Sequence, residues 1–499
     1  MPVQSRLSTH TQATSIEERE KEMPSLRKTL LGGLASILLA GISTATAIAA
    51  PGDLDPRFST DGKVLAGFKK QDVSGPVEIA MQADGKFVVL ATVVKRERRD
   101  PSKGHARSPN QNLALARYTR KGKLDRSFSE DGKLVLSLPD REQSAGVALQ
   151  PDGKLVAAAT TRNDFLVVRL TKRGKLDRSF SDDGQMTADF GLEDDAEALA
   201  VQGDGGIVVA GSARQASSGS SGSITSDFAV ARFTASGSLD SSFSADGLVT
   251  SNLPPATAMA KPGDDLAHDL ALTPSGAIVV TGESRESSAY STNSLFTLVR
   301  YLPDGNLDQS FGESGVVKSN FGSGQPLSLT LGLEGSIYSG GTADGSFALA
   351  RYLADGSLDP SFGGTGEVEV DAGGDNDSAT EVAVGADGRP LLAGSTDGSD
   401  GSGDFALLRF TSQGELDPSF SEDGRVTVDF GGGERAEGMV LQGDGKIVLA
   451  GLASNRIGIT RHEVATGPAD RDADGVEDAD DRCSDRFGER ANGCPRRGR

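Results

Sequence analysis

The residues best spaced for chemistry lie near the end of the chain. Asp470, Asp472, Asp474, Asp478 and Asp481 stand at positions 1, 3, 5, 9 and 12 of a loop whose sixth residue is Gly475. Calcium takes roughly six to eight hard oxygens, and a glycine at the sixth position lets the backbone turn sharply enough to wrap them around one ion. The spacing predicts a weak site of the extracellular class, with a dissociation constant on the order of 10⁻⁴ to 10⁻³ M. Catalytic patterns are missing. The four histidines, His10, His105, His268 and His462, are too scattered for a zinc-binding H-E-x-x-H pair. No G-x-S-x-G elbow, phosphate loop or cysteine nucleophile occurs, and the carboxylates are too numerous for an acid–base pair to stand out.

The elements that must position any site come from one repeated unit running from Gly52 to about Val464. Its first phrase, L-D-x-x-F-x-x-x-G, begins at Leu54, Leu124, Leu176, Leu239, Leu307, Leu358 and Leu416. Its second is a turn followed by an apolar run, as in Asp84-Gly85, Asp152-Gly153 and Asp444-Gly445, with Asp204-Gly205, Ser275-Gly276, Glu334-Gly335 and Asp387-Gly388 in the other copies. Glycine there supplies the positive φ that tight turns between twisted strands require. The third phrase is a strand ending in Arg and an aromatic or Leu, such as Leu113 to Tyr118. A further alternating segment (Lys63 to Phe68, Gln185 to Phe190, Arg425 to Phe430) completes four short strands per unit. Seven such units, 52–464, predict an all-β, seven-bladed β-propeller, because a closed ring hides sheet edges that an open array would expose. The seventh copy reads as complete through Arg461, which suggests closure between blades one and seven without a strand exchanged from the far terminus.

Repetition argues for structure. Asp55, Asp125, Asp177, Asp240, Asp308, Asp359 and Asp417 recur beside Arg117, Arg169, Arg232, Arg300, Arg351, Arg409 and Arg461. Each arginine is expected to pair with an aspartate or with turn carbonyls through its forked donors. The recurring Phe58, Phe128, Phe180, Phe243, Phe311, Phe362 and Phe420 are expected in the blade cores. Variation belongs to the loops, notably the basic segment Lys95 to Arg107, and to stretches rich in Ser, Gly, Thr or Pro at 212–226, 252–265, 284–294 and 396–403.

Residues 1–49 look like a cleaved export signal: Arg27 and Lys28 precede an apolar run from Leu30 to Ile42, and Ala47 and Ala49 fit an A-x-A cleavage pattern. Met23 is a candidate true start, and the apolar run is too short to leave a transmembrane span in the mature chain. A net charge of −20 disfavours nucleic acid and anionic lipid as partners. The only cysteines, Cys483 and Cys494, lie in the tail, so the body folds without disulfides.

Phrases such as Gly356-Ser357-Leu358-Asp359-Pro360-Ser361-Phe362-Gly363 resemble the bacterial delta-60 repeat family, which implies a propeller in an exported protein and no established activity. The tail, 465–499, resembles a thrombospondin type 3 repeat, including Asn492-Gly493-Cys494-Pro495, although Ser484 replaces the usual proline and position 12 is the shorter Asp481. That resemblance implies calcium ligation by Asp470, Asp472, Asp474, Asp478 and Asp481 with the Val476 carbonyl. It also implies a Cys483–Cys494 disulfide, worth ~3 kcal/mol in the chain-entropy model and suited to an oxidising exterior. The expected function is therefore non-enzymatic: an exported, monomeric scaffold, secreted or in the cell envelope, that recognises a glycan, wall polymer or protein. The alternatives are a propeller lyase or hydrolase acting at the channel mouth, and a purely architectural envelope protein.

Overall fold

The computed structural model describes residues 50–96, 110–216, 224–257, 261–287, 292–322, 324–374, 376–397 and 402–464. The leader, most of the basic loop and the calcium tail lie outside the described residues.

Seven four-stranded antiparallel sheets form the blades, and the innermost strand of each lies against the innermost strand of the next. Those innermost strands are Gln71–Met81, Glu142–Leu149, Asp194–Val201, Lys261–Leu272, Gln325–Leu331, Ser378–Val384 and Glu434–Leu441, in blades one to seven. The only helical element among the described residues is the short turn Leu333–Gly335. The glycines of all seven hairpin turns have φ between 75° and 88°, as the turn chemistry requires.

Closure corrects one expectation. Strand Lys63–Ala66, from the N-terminal end, pairs with Arg456–His462 and becomes the outermost strand of blade seven. The reason lies in where the unit is cut. Each L-D-x-x-F phrase leads into the outermost strand of the blade that precedes it, so the seventh copy stops one strand short and the first copy supplies it. Asp55 of this segment is fully buried and meets Arg461 at 2.6 Å and Lys446 at 2.9 Å. His462, in the place usually held by an aromatic, bonds the Gly52 carbonyl and the Thr460 hydroxyl, each at 2.9 Å.

The repeated pairs behave as their repetition implied. Arg117 meets Asp125 at 3.0 Å, Arg300 meets Asp308 at 2.8 Å, and every other copy forms the same bridge. Each guanidinium also donates to a turn carbonyl of the neighbouring blade, as from Arg117 to Lys172 O at 2.7 Å and from Arg409 to Val464 O at 2.9 Å. One forked donor thus ties its own blade to the next. Each arginine further covers the ring of the phenylalanine from its expected core set, and all seven of those rings are fully buried. Burying a phenylalanine contributes about 1.5–3 kcal/mol.

All four expected loops are shorter than the composition suggested, because strands run into each stretch. Strands Ile207–Ala216 and Ile224–Phe233, and Ile278–Ser287 and Thr292–Tyr301, extend as long hairpins into the serine-rich stretches. Serine composition alone signalled a loop; here Ser284 is buried and its hydroxyl donates to the Asp265 carboxylate at 2.5 Å.

Candidate ligand site in the central channel

In blades two to seven the innermost strand slips register against its neighbour at an equivalent position: between Ser144 and Gly146, Ala196 and Ala198, Ala267 and Asp269, Pro326 and Ser328, Ala379 and Glu381, and Ala436 and Gly438; in blade one the slip lies further from the hairpin turn, between Val73 and Val77. A β-bulge leaves a residue out of the ladder and re-aims its side chain. Five of the facing strands carry glycine opposite the bulge, because its carbonyl is turned into them. A Cβ on Gly211 would stand 2.0 Å from the Asp195 carbonyl oxygen, and one on Gly394 would stand 1.9 Å from that of Ser378.

The bulges line a cavity of about 200 Å³ at the centre of the ring, bounded by residues from all seven blades. The skipped residues in blades two to seven are Ala145, Glu197, His268, Leu327, Thr380 and Glu437. With Glu78, Asp269 and Glu381 they place five carboxylates and one imidazole in a single space. Two of the carboxylates are structural. Asp269 accepts the Leu270 and Leu329 amides at 2.7 and 2.6 Å, joining blades four and five. Glu437 accepts the Val77 amide at 2.9 Å and the Arg435 guanidinium, joining blades seven and one. Thr380 donates to the Ala436 carbonyl at 2.6 Å, and the Ser328 hydroxyl accepts the Val382 amide at 2.7 Å. The wall is thereby fixed before any ligand enters.

Among the described residues Glu78, Glu197 and Glu381 have no hydrogen-bond or ion-pair partner. Glu197 is exposed, and Glu78 and Glu381 are half-buried. Burial inside the ring raises both Glu78 and Glu381 well above the ordinary carboxylate range, and neighbouring carboxylates, including Asp269, push the same way. Burial carries Glu197 and Asp269 up to about 7. His268 is pushed down by burial, which keeps the imidazole neutral. Its Nε2 has no hydrogen-bond partner and lies 4.0 Å from the Glu283 carboxylate. Among the lining residues only Glu437 has a guanidinium against it, so the channel is an acidic space with little countercharge.

None of these residues was singled out by sequence. His268 was visible only as one scattered histidine, and the carboxylates were lost among 71 acidic residues. The expected tail ligands and the basic loop fall outside the described residues, apart from Lys95, which ends a strand, and Arg96, whose guanidinium pairs with Asp72.

Five stretches, residues 150–180, 202–243, 273–311, 335–362 and 385–420, match the model of a family described as a domain of unknown function (DUF5122) beta-propeller. The chain is a β-propeller repeat protein. Each matched stretch runs from a hairpin turn to the phenylalanine of the next phrase, so the channel-lining innermost strands fall outside all five. No curated protein matches the chain. Among solved structures, a virginiamycin B lyase from Staphylococcus aureus with quinupristin is 14% identical over 80% of this chain and 98% of its own, with a TM-score of 0.45. A protein of unknown function from Dyadobacter fermentans is 11% identical over 81% and 98%, at 0.42. A gluconolactonase from Xanthomonas campestris is 13% identical over 69% and 93%, at 0.32.

Proposed function

We propose that this propeller is an exported binding protein of the delta-60 repeat type whose channel receives a cationic group of its ligand, an amine-bearing wall polymer or a basic protein segment. The observation that supports this reading is the set of three unpartnered glutamates, Glu78, Glu197 and Glu381, held by a rigid wall in one acidic cavity. Unpaired carboxylates gathered in a protein-lined space repel one another, and a cation entering there relieves the repulsion. In the same reading the leader 1–49 exports the chain to the envelope or medium, and the tail binds calcium through Asp470, Asp472, Asp474, Asp478 and Asp481 as a stiffened spacer.

The test is binding of wall fragments with free amines to the full chain, against the same fragments after N-acetylation. Saturable binding that acetylation removes, and that Glu78→Gln with Glu381→Gln weakens about tenfold or more, is the expected result. Equal binding of both fragment types overturns the cationic-group reading and leaves neutral glycan recognition.

A second reading is favoured by one feature: the polar residues of the cavity differ from blade to blade, as an asymmetric reaction centre requires. Carboxyls near 7 beside a neutral imidazole suit proton transfer in a lyase or hydrolase. Mass spectrometry of incubated wall fragments separates the two. Products that vanish with Glu197→Gln, a carboxyl that holds no part of the wall, would establish catalysis, and unchanged fragments would retain binding alone.

A further inference from the structure

Where one blade hands over to the next, a carboxylate at or near the start of the incoming innermost strand is buried at five seams: Glu142, Asp194 and Glu434 open their strands, Asp377 immediately precedes Ser378–Val384, and Asp265 lies within Lys261–Leu272. At two of these seams it meets two more acids. Asp164, Asp189 and Asp194 bring carboxylate oxygens within 4.8 Å of one another between blades two and three, and Asp404, Asp429 and Glu434 do the same between blades six and seven. The aromatic pairs Phe165–Phe190 and Phe405–Phe430, at 5.1 and 5.2 Å, fix both handovers in the same way.

Asp194 is fully buried. One of its oxygens accepts the Phe190 amide at 2.7 Å; the other, Oδ1, has no hydrogen-bond partner. Glu434 is 4% exposed, and neither of its carboxylate oxygens makes a hydrogen bond of ordinary geometry. Leaving a buried carboxylate oxygen unmet is costly, the more so with two further acids beside it. Nearby Arg162 is largely exposed and pairs with Asp140; burial and Asp189 push Asp164 up, Arg162 pulls it back only in part, and it forms no ion pair with the three carboxylates.

The seam between blades three and four shows what a charge-balanced version looks like. Its three positions are Asp227, Asn252 and Asp265. Asn252 donates its amide to Asp227 at 2.9 Å, and Asp265 accepts the Leu253 amide at 3.0 Å and the Ser284 hydroxyl at 2.5 Å. Lys318 bonds the same Ser284 at 2.8 Å, which brings an ammonium to the group. Both Asp265 oxygens are thereby met by protein donors, whereas the two triads have a third acid in place of the amide; the Lys63 ammonium beside the second triad donates to the Asp429 backbone carbonyl at 2.7 Å.

We propose that each triad, Asp164/Asp189/Asp194 and Asp404/Asp429/Glu434, holds one calcium-type divalent cation that staples neighbouring blades. Three carboxylates supply the hard oxygens and the charge, and water completes the shell of such an ion. Burial raises Asp194 to about 6 and also raises Glu434, and the neighbouring acids push the same way.

The experiment is calcium titration calorimetry with thermal melts on the full chain, comparing wild type, the pair Asp194→Asn with Glu434→Gln, and the tail pair Asp472→Ala with Asp474→Ala. The seam pair should lose both seam ions and the calcium-induced rise in Tm, while melting above wild type in chelator because buried repulsion has been removed. The tail pair should keep both. The proposal is overturned if the seam pair binds as many ions as wild type, or if wild type binds no calcium beyond what the tail pair loses. Binding of amine-bearing fragments is a separate readout, so failure here leaves the channel reading standing.

Discussion

At the turn before each outermost strand an arginine meets an aspartate, and it does so in all seven blades. Along the channel the equivalent bulge position holds alanine, glutamate, histidine, leucine, threonine and glutamate in successive blades. The backbone is the same repeat in both places. A side chain that recurs sevenfold has a task that recurs sevenfold, which is to join blade to blade. A position whose backbone is conserved by geometry while its side chain changes is free to form one asymmetric surface, and the acidic cavity is that surface.

The comparison breaks most visibly at the closure. Asp55→Ala leaves Arg461 and Lys446 buried around an absent carboxylate, and loss of one partner of a buried pair costs about 3–5 kcal/mol. A urea melt should show this, and a change below about 1 kcal/mol would mean the borrowed strand is not held by that pair. Next, Gly394→Ala forces a Cβ against the bulge carbonyl, and a loss of about 2 kcal/mol is expected.

A third prediction sharpens the contrast through pH. A carboxyl held above its unfolded-state value stabilises the fold fully below that value and loses its contribution as pH rises through the folded one. Glu197 and Asp269, near 7 against an unfolded range of about 4, therefore make the unliganded protein less stable as pH climbs from ~4 to ~7. At the rim the sign reverses. Burial pushes Asp125 and Asp177 up, but serine donors, arginine and lysine outweigh it and hold both near 2, so their contribution is lost only as pH falls from ~4 through 2. Denaturation midpoints should peak where these windows meet, near pH ~4, and Glu78→Gln with Glu381→Gln should flatten the limb above it. The smallest effect is at Arg96→Ala: its bridge to Asp72 is exposed, and no resolvable change in Tm is expected.

The blades were legible in sequence because turn glycines, alternating strands and the Leu-Asp-x-x-Phe phrase are local signals repeated in every copy. Closure was not, because Lys63–Ala66 reads as the start of a unit when it is the end of another, some four hundred residues away in sequence. The channel was illegible for a different reason. Glu78, Glu197 and Glu381 are ordinary acids on separate strands, and only the ring brings them together. One clue was present: glycine interrupts the second strand at Gly211, Gly282, Gly341, Gly394 and Gly451, as it does where another backbone approaches closely.

The most direct test measures affinity for spermine and thermal stability together in three forms of the full chain: wild type, Glu78→Gln with Glu381→Gln, and Asp308→Asn. The channel pair should lose about tenfold or more in affinity while keeping its Tm, and the rim variant should lose Tm while binding normally. Affinity that falls with stability in the rim variant and survives in the channel pair would contradict the assignment of recognition to the channel.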